Sequence, residues 1–495
     1  MRFVRKFSSK PKYGINHLQR LLFVVWDYIL TYLHHLEPYI FHLFFGHAAE
    51  SQIPTLLLVL APALCFPMLE FFPQLFRHVA TPSEDVFRQN LTTFYKENLG
   101  IYPYYDPENT AVNGGLPQSV NLSQHLEKMS ENIDTYIPDP KAKGLTVIDW
   151  REWHPLWGRN GHGKDRYRNK SRELVARKNT MLTQEQVNNA AQEEFELAAR
   201  EFMLGTLRQG KNLRPNKLWG YYLYPDCYNY DYSGKLETYT GRCSDVEIKR
   251  NDQLNWMWNE STALFPEIYL EKELRSTDQA RLFVLNRVKE AMRAASVGDG
   301  LTRPVFSVII FTDNIQIHLF QEDLVNTIGE SVALGVAGVI YFGGKYYATS
   351  VRSGCTALNN FFRETMGRYL LNVTTAAKEC SQKLCKFNGR CLRRKPDRAV
   401  FLHLNPSTHK IISQKGKLKV RGSPGQAELK AFRQHFKCQC YNGTKGEDCK
   451  LGGKGGRGER EEVKKGEGGQ SSATSVLGMW PLCFVLQLGL LSLFH

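Results

Sequence analysis

Apolar residues follow two rhythms along this chain. Short runs rich in β-branched and aromatic side chains, GLTVIDW (144–150), LWGYYLY (218–224), PVFSVIIF (304–311) and AGVIYFG (337–343), show only weak period-two alternation. Continuous apolar runs of this length suit strands buried on both faces of a parallel sheet. Between the first two runs the rhythm becomes helical. Val187, Ala191, Phe195, Ala198 and Phe202 recur on one face, and Thr183 with Gln186 forms a capping-box pattern that starts the helix. The stretch Asp323 to Leu334 predicts a second helix directly before a strand. Strand–helix alternation over about 250 residues predicts an α/β fold of the (β/α) TIM-barrel type. In such barrels the chemistry sits at the C-terminal ends of the strands, which directs attention to Asp149–Glu152, Tyr222–Cys227 and Phe342.

Composition narrows the class. The chain has 495 residues, 42% hydrophobic and 23% charged, enough for a large barrel with appendages and ordinary for a globular protein. The formal net charge is +15, which favours a polyanionic partner: nucleic acid, anionic lipid or acidic polysaccharide. The basic residues of 452–467 are offset by four Glu, so most of the excess lies in the body of the chain. Eleven cysteines are present, six of them within 380–449 as C-x4-C-x5-C followed by C-x-C-x8-C. This is the spacing of an EGF-like module, paired first to third, second to fourth and fifth to sixth. It predicts Cys380–Cys391, Cys385–Cys438 and Cys440–Cys449. A zinc site wants paired C-x2-C knuckles, which are absent. Disulfides imply an oxidising compartment, and sequons at Asn90, Asn121, Asn169, Asn259, Asn372 and Asn442 agree with secretion.

The two ends read differently. Residues 451–475 form a basic Gly-rich linker, and 476–495 form an apolar tail. Small residues, a polar stretch and a terminal apolar segment make the pattern of a GPI-anchor signal, with Gly469, Ser471 and Ser472 as attachment candidates. A terminal transmembrane helix is the alternative reading. Residues 1–80 read as an atypical hydrophobic leader. IPTLLLVLAPALC (53–65) has the composition of a signal core, and LLFVVWDYILTYL (21–33) is a second apolar stretch. His34, His35, His42 and His47 lack acidic or cysteine partners at ligand spacing, so no metal site is expected there.

Several ordered motifs carry a resemblance. VIDWREWHPLW (147–157), RPNKLWGYYLYPDCYNYDY (214–232), EIKRNDQLNWMWNESTALFP (247–266), IGESVALGVAGVIYFG (328–343) and CSQKLCKFNGRC (380–391) resemble the animal hyaluronidases, especially the vertebrate sperm-surface and chondroitin-cleaving branches. The resemblance runs from about residue 86 to 450. It implies a distorted (β/α) barrel over 81–370 with an EGF-like module over 371–450. It also implies hyaluronan, or chondroitin, as the polymer cleaved, with no cofactor and no nucleic-acid partner. The implied place is the extracellular face of the plasma membrane, held through a lipid anchor or terminal segment. The implied mechanism is retaining and substrate-assisted: the sugar's acetamido oxygen attacks the anomeric carbon, an Asp orients the acetamido group, and a Glu two residues on protonates the leaving oxygen. Residues i and i+2 of a strand share a face, so both carboxylates enter the cleft from one strand end, and burial has to raise the pKa of the acid.

This sequence departs from that pattern. The family reads D-W-E-x-W; here the residues are Asp149, Trp150, Arg151, Glu152 and Trp153. Arg151 stands at the position of the acid, and a guanidinium has no proton to give at accessible pH. Strand alternation sends Glu152 to the other face. Phe265 replaces a tyrosine, Phe342 replaces a tryptophan, and the segment near Ser307–Val308 is shortened by about two residues. Asp149 and Tyr222 are retained at family site positions. The resemblance further implies a Cys227–Cys243 bridge. It also suggests that the first barrel strand, whose cysteine would pair with Cys355, is missing, with Cys65 the remaining candidate. Two functions follow as expectations: a glycosidase impaired at its acid, or a non-catalytic surface protein that binds hyaluronan or a partner cell.

Overall fold

The computed structural model describes residues 55–59, 78–80, 91–234, 236–297, 302–310, 321–342, 361–414, 417–441 and 444–451, all within the unit Met1–Gly452. Cys65, Cys355, the histidines of 34–47, the linker and the apolar tail lie outside the described residues, apart from Leu451.

Parallel strands wind in chain order. They are β1 (Thr55–Val59), β2 (His78–Ala80), β3 (Leu91–Phe94), then, beyond a small hairpin of β4 (Tyr104–Tyr105) and β5 (Ala111–Val112), β6 (Gly144–Ile148), β7 (Lys217–Tyr221), β8 (Phe306–Ile310) and β9 (Gly338–Phe342). β3, β6 and β7 form one parallel sheet, and β2, β1, β9 and β8 another. The extended segment 264–267 joins them, bridging Tyr222 to Phe265 on one side, and Leu264 to Val305 and Glu267 to Val308 on the other. β2 packs beside β3. The staves therefore follow one another around a ring, as a (β/α) barrel requires. The first barrel strand is not missing: Thr55–Val59, read from sequence as part of a leader core, pairs in parallel with Gly338–Phe342 and, through its second half, with His78–Ala80.

Helices Leu122–Tyr136, Asp165–Lys178, Gln184–Leu213 and Asp278–Ala295 fill the connections. The capping box of Thr183 and Gln186 is formed. The buried stripe of that long helix is Val187, Ala191, Phe195, Ala199 and Phe202. Ala198 is only half-buried, because the 3.6-residue period places its neighbour against the barrel. The expected helix before β9 is present but contains a π-helical turn at Val325–Gly329. His125 ties two helices of this layer together. Its Nδ1 accepts from the Ile101 N–H at 3.0 Å, which leaves the proton on Nε2, 3.0 Å from Thr206 Oγ1. Gly100 lies against the same ring at φ +65°, where a Cβ would come within 2.3 Å of the imidazole.

Side chains on the staves divide by parity. Leu91, Leu145, Val147, Tyr222, Ala263, Phe265, Phe306, Val308, Ala337 and Ile340 cluster inside the barrel. Phe94, Ile148, Trp219 and Tyr221 belong to the larger core shared with the helices. Trp219 stacks on Phe94, and Tyr221 donates to Met203 O at 3.0 Å.

Beyond the barrel strands, helix Gly367–Cys385 leads to β10 (Gly389–Arg393), the hairpin β11 (His409–Gln414) and β12 (Lys417–Gly422), helix Gln426–His435, β13 (Phe436–Cys440), and the short β14 (Thr444–Lys445) and β15 (Lys450–Leu451). β10 pairs antiparallel with β13. Disulfides join Cys380 to Cys391, Cys385 to Cys438 and Cys440 to Cys449, and a fourth joins Cys227 to Cys243. A buried ion pair fixes this segment to the barrel: Arg393 donates to both oxygens of Glu330, Nη1 to Oε2 at 3.0 Å. Both side chains are at most 1% exposed.

Two stability predictions follow from this packing. Glu330→Leu strands the Arg393 charge in the interior and should cost about 3–5 kcal/mol, read as a lower denaturation midpoint. Burial also lowers His125 to about 3, against an ordinary value near 6.5. Below about 6.5 the unfolded chain binds a proton that the folded chain refuses, so stability should fall steadily as pH drops from there toward 3. His125→Gln should flatten that slope in urea titrations across the range, and an unchanged slope would show that other groups dominate acid lability.

Candidate active site

The mouth of the barrel is built by β6, β7 and the 264–267 stave. The β6 ladder runs past its last strand residue, since Asp149 N donates to Phe94 O at 2.8 Å and Tyr222 N to Ile148 O at 3.0 Å. Asp149 therefore keeps the inward parity of Leu145 and Val147, level with Tyr222. Trp150 faces outward against Tyr102, Phe202 and Tyr221. Gly220 lets the next stave approach, because a Cβ there would lie 2.2 Å from Ala263 O.

Arg151 folds back over its own strand end. Its Nη2 donates to Asp149 Oδ2 at 3.0 Å, and its Nε lies 2.7 Å from Oδ1. The guanidinium also lies 5.3 Å from the centre of the Tyr222 ring. Asp149 is 7% exposed and Arg151 55%, so the carboxylate is buried and its counter-charge faces the mouth. Burial holds the Asp149 carboxyl above the usual carboxylate range. The Arg151 charge opposes this shift, and the nearby Glu267 adds to it.

Glu267 was not singled out by the sequence reading. Tyr222 Oη donates to its Oε2, and burial together with this carboxylate pushes the Tyr222 hydroxyl far above its ordinary range. Tyr222 is therefore a neutral phenol at any working pH. The signal for Glu267 lay in the alternation: it is two residues beyond Phe265 on the same stave, and so shares its inward face. Tyr95, at the end of β3, is a second residue that sequence reasoning passed over. Burial raises its hydroxyl, and the Asp149 charge adds to the shift.

The other expected residues are placed as follows. Phe265 is fully buried, stacked on Phe306 with centroids 5.9 Å apart; it packs the barrel interior at the Tyr222 level and offers no exposed surface to a sugar. Glu152 turns away from Asp149, with Lys96 Nζ 2.5 Å from its Oε1. Lys164 Nζ donates to Arg151 O, pinning the loop after β6. Phe342 ends β9 by its backbone, and its side chain lies outside the described residues. Ser307 and Val308 are regular β8 positions in register with Val339 and Ile340, and 311–320 lies outside the described residues. A neighbouring recess is lined by His154, Arg159, Tyr224, Asp226 and Asn251 and by none of the Asp149 cluster. There His154 Nδ1 lies 2.8 Å from Tyr224 Oη, and burial lowers the imidazole to about 3. Among the described residues no group of acids, histidines and cysteines is arranged to hold a metal. No helix among them is long and apolar enough to cross a membrane.

A buried aspartate thus stands at the end of a barrel strand, beside a tyrosine and a second carboxylate, where barrel enzymes carry their chemistry. Comparison with known proteins supplies the family. The model of the hyaluronidase family matches residues 66–452, and the chain belongs to that family. It is 45% identical to mouse Hyaluronidase-2 over 407 residues, 81% of this chain and 85% of that one. It is 46% identical to mouse Hyaluronidase PH-20 over 371 residues, 74% of this chain and 72% of that one. Among solved structures it is similar to bee venom hyaluronidase crystallised with a hyaluronic acid tetramer, with a TM-score of 0.56 and 26% identity, covering 64% of this chain and 98% of that one.

The Tyr222–Glu267 contact is open to direct test. Hydrogen bonds to charged groups contribute about 1.5–3 kcal/mol, so Tyr222→Phe should lower unfolding stability by roughly that amount. In a double-mutant cycle with Glu267→Ala, the double variant should lose clearly less than the sum of the two singles. Strict additivity would show that the two side chains do not interact.

Proposed function

We propose that this chain is a hyaluronidase-family endo-β-N-acetylhexosaminidase, directed to hyaluronan or chondroitin, whose cleavage is impaired at the proton-donation step. One observation carries the reading: Arg151, which the resemblance sets at the position of the acid, lies against both oxygens of Asp149. In the substrate-assisted mechanism Asp149 orients the acetamido group and Tyr222 borders the reacting sugar. Arg151 competes for the Asp149 oxygens and brings no proton. Glu152 is held by Lys96 and is turned away from that centre. Losing a positioned general acid costs on the order of 10²–10⁴-fold in rate.

The second reading, a cell-surface protein that binds the polymer without cutting it, is favoured by the partial exposure of the Arg151 side chain at the mouth, where it can meet polymer carboxylates. In this proposal the disulfide-bonded segment 371–450 is an EGF-like module, and the apolar tail directs a GPI anchor at the outer cell surface.

Arg151→Glu is the deciding variant. A carboxyl at 151 would stand beside Asp149 and Glu267, and like charges raise one another's pKa, which favours a protonated acid. Hyaluronan cleavage should therefore rise by at least about tenfold, short of the full 10²–10⁴ that a positioned acid contributes. Arg151→Ala should leave cleavage low while weakening hyaluronan binding and its salt dependence. If the natural chain cleaves hyaluronan as fast as mouse Hyaluronidase-2 under the same conditions, the impairment is refuted. If Arg151→Glu gains nothing while still binding, the loss lies elsewhere in the cleft.

A further inference from the structure

Most of the chain's excess charge sits far along the sequence from the cleft residues. Residues 371–450 contain 18 Lys and Arg against 5 Asp and Glu, a formal +13 of the chain's +15. Charge content alone is a weak argument, since cations are commonly spread over a solvated surface. Here the fold concentrates some of them and uses up the nearby acids.

The register of the β11–β12 hairpin sorts its side chains. Lys410 faces Arg421 across the ladder, and Ile412 faces Lys419. Directly opposed residues of an antiparallel pair share a face, as do residues two apart on one strand. Lys410, Lys419 and Arg421 therefore stand together on one face, within about 7 Å of a neighbour along or across the ladder, and all three are exposed. The opposite face is turned to the protein. Val420 packs against the core. His409 is buried, with Nε2 3.0 Å from Glu379 Oε1 and Nδ1 3.5 Å from Glu428 Oε1. Glu428 also accepts from Thr408 Oγ1 at 2.7 Å, and Asp397 pairs with Lys289 at 2.9 Å. Asp448 lies 3.3 Å from Lys450. Four of the five acids in the segment are thus engaged elsewhere. Among the described residues no carboxylate lies within ion-pair distance of Lys410, Lys419 or Arg421.

We propose that this ribbon face is a second polyanion-binding site, separate from the cleft, and that its ligand is a densely sulfated glycosaminoglycan. The density of the cations selects the ligand. Three charges packed this closely match a chain carrying several anionic groups per disaccharide better than hyaluronan, which carries one carboxylate per disaccharide. The regular, flat surface of a two-stranded ribbon suits a linear polymer, and the disulfides place the segment in an oxidising compartment where such polymers occur. The site does not depend on the catalytic reading, because it uses none of the cleft residues.

The test uses the full chain and three probes of matched length: heparin oligosaccharide, hyaluronan oligosaccharide and single-stranded DNA. Heparin should bind most tightly, and its affinity should fall with added salt. The combined variant Lys410→Glu, Lys419→Glu and Arg421→Glu should weaken heparin binding roughly tenfold or more, since each exposed ion contact is modest by itself. Hyaluronan binding and cleavage at the barrel mouth should not change. A control with the same charge change on the barrel surface, Lys128→Glu, Lys178→Glu and Lys249→Glu, should leave heparin binding near that of the natural chain. The three ribbon Ala substitutions, which perturb the hairpin less, should act in the same direction as the Glu set. Equal losses in the ribbon and control variants would reduce the effect to net charge and overturn the site. So would unchanged heparin binding in both ribbon variants. DNA bound through the ribbon as tightly as heparin would overturn the choice of ligand.

Discussion

The cleft depends on one constraint: the parity of β6 is locked between β3 and β7. Hydrogen bonds on both sides, from Asp149 N to Phe94 O and from Tyr222 N to Ile148 O, carry the ladder one residue past the strand. Because the side-chain period is two, a one-residue slip would exchange the inner and outer sets. Trp150 would then enter the barrel mouth, and Asp149 would be driven into the aromatic layer of Tyr102, Phe202 and Tyr221. That layer is fully packed, so only one register satisfies both faces. The position of Asp149, the return of Arg151 over it and the level of Tyr222 all follow from this register.

The same constraint decides which charges meet. Asp149 is buried, and burying a carboxylate without a partner is costly enough that the group tends to neutralise instead. Arg151 supplies the partner from the solvent side, and its own desolvation is outweighed by its interactions with Asp149, Tyr222 and Glu267. Glu267, brought in by the neighbouring stave, adds a second carboxylate on the far side of Tyr222. The cluster is two carboxylates and one guanidinium around a neutral phenol. This is a stable electrostatic arrangement, and it differs from a site that must keep one carboxyl protonated.

Much of this was legible in the sequence for physical reasons. The buried strands around 144–150, 218–224, 304–311 and 337–343 announced themselves because strands covered on both faces need continuous apolar runs. Three of the bridges were legible because the cysteine spacings match an EGF-like pattern, and Cys227–Cys243 only because the family resemblance implies it. Two features were hidden. The first strand was masked because TLLLV (55–59) has the composition of a leader core as much as of a barrel stave, and only its pairing with Gly338–Phe342 distinguishes the two. Glu267 was hidden because its importance comes from Tyr222, 45 positions earlier, and no local pattern records a contact made across a barrel. Phe265 was over-read for the complementary reason: a motif gives a residue's place on the stave but not the depth at which its ring is buried.

On the proposed reading, residue 151 can change its chemistry while leaving the fold intact, because it carries little packing. Its side chain lies over the strand end with 55% of its surface exposed, so replacing a carboxyl by a guanidinium there matters less to the packing than to the charge beside Asp149. What it changes is the electrostatic state of Asp149, and it changes it in the stabilising direction by giving a buried anion a cation. The reverse replacement has the opposite balance: it would put a third carboxyl beside two others, raising the cost of charge at the mouth as it supplies a proton donor. Stability and proton donation therefore pull in opposite directions at this one position.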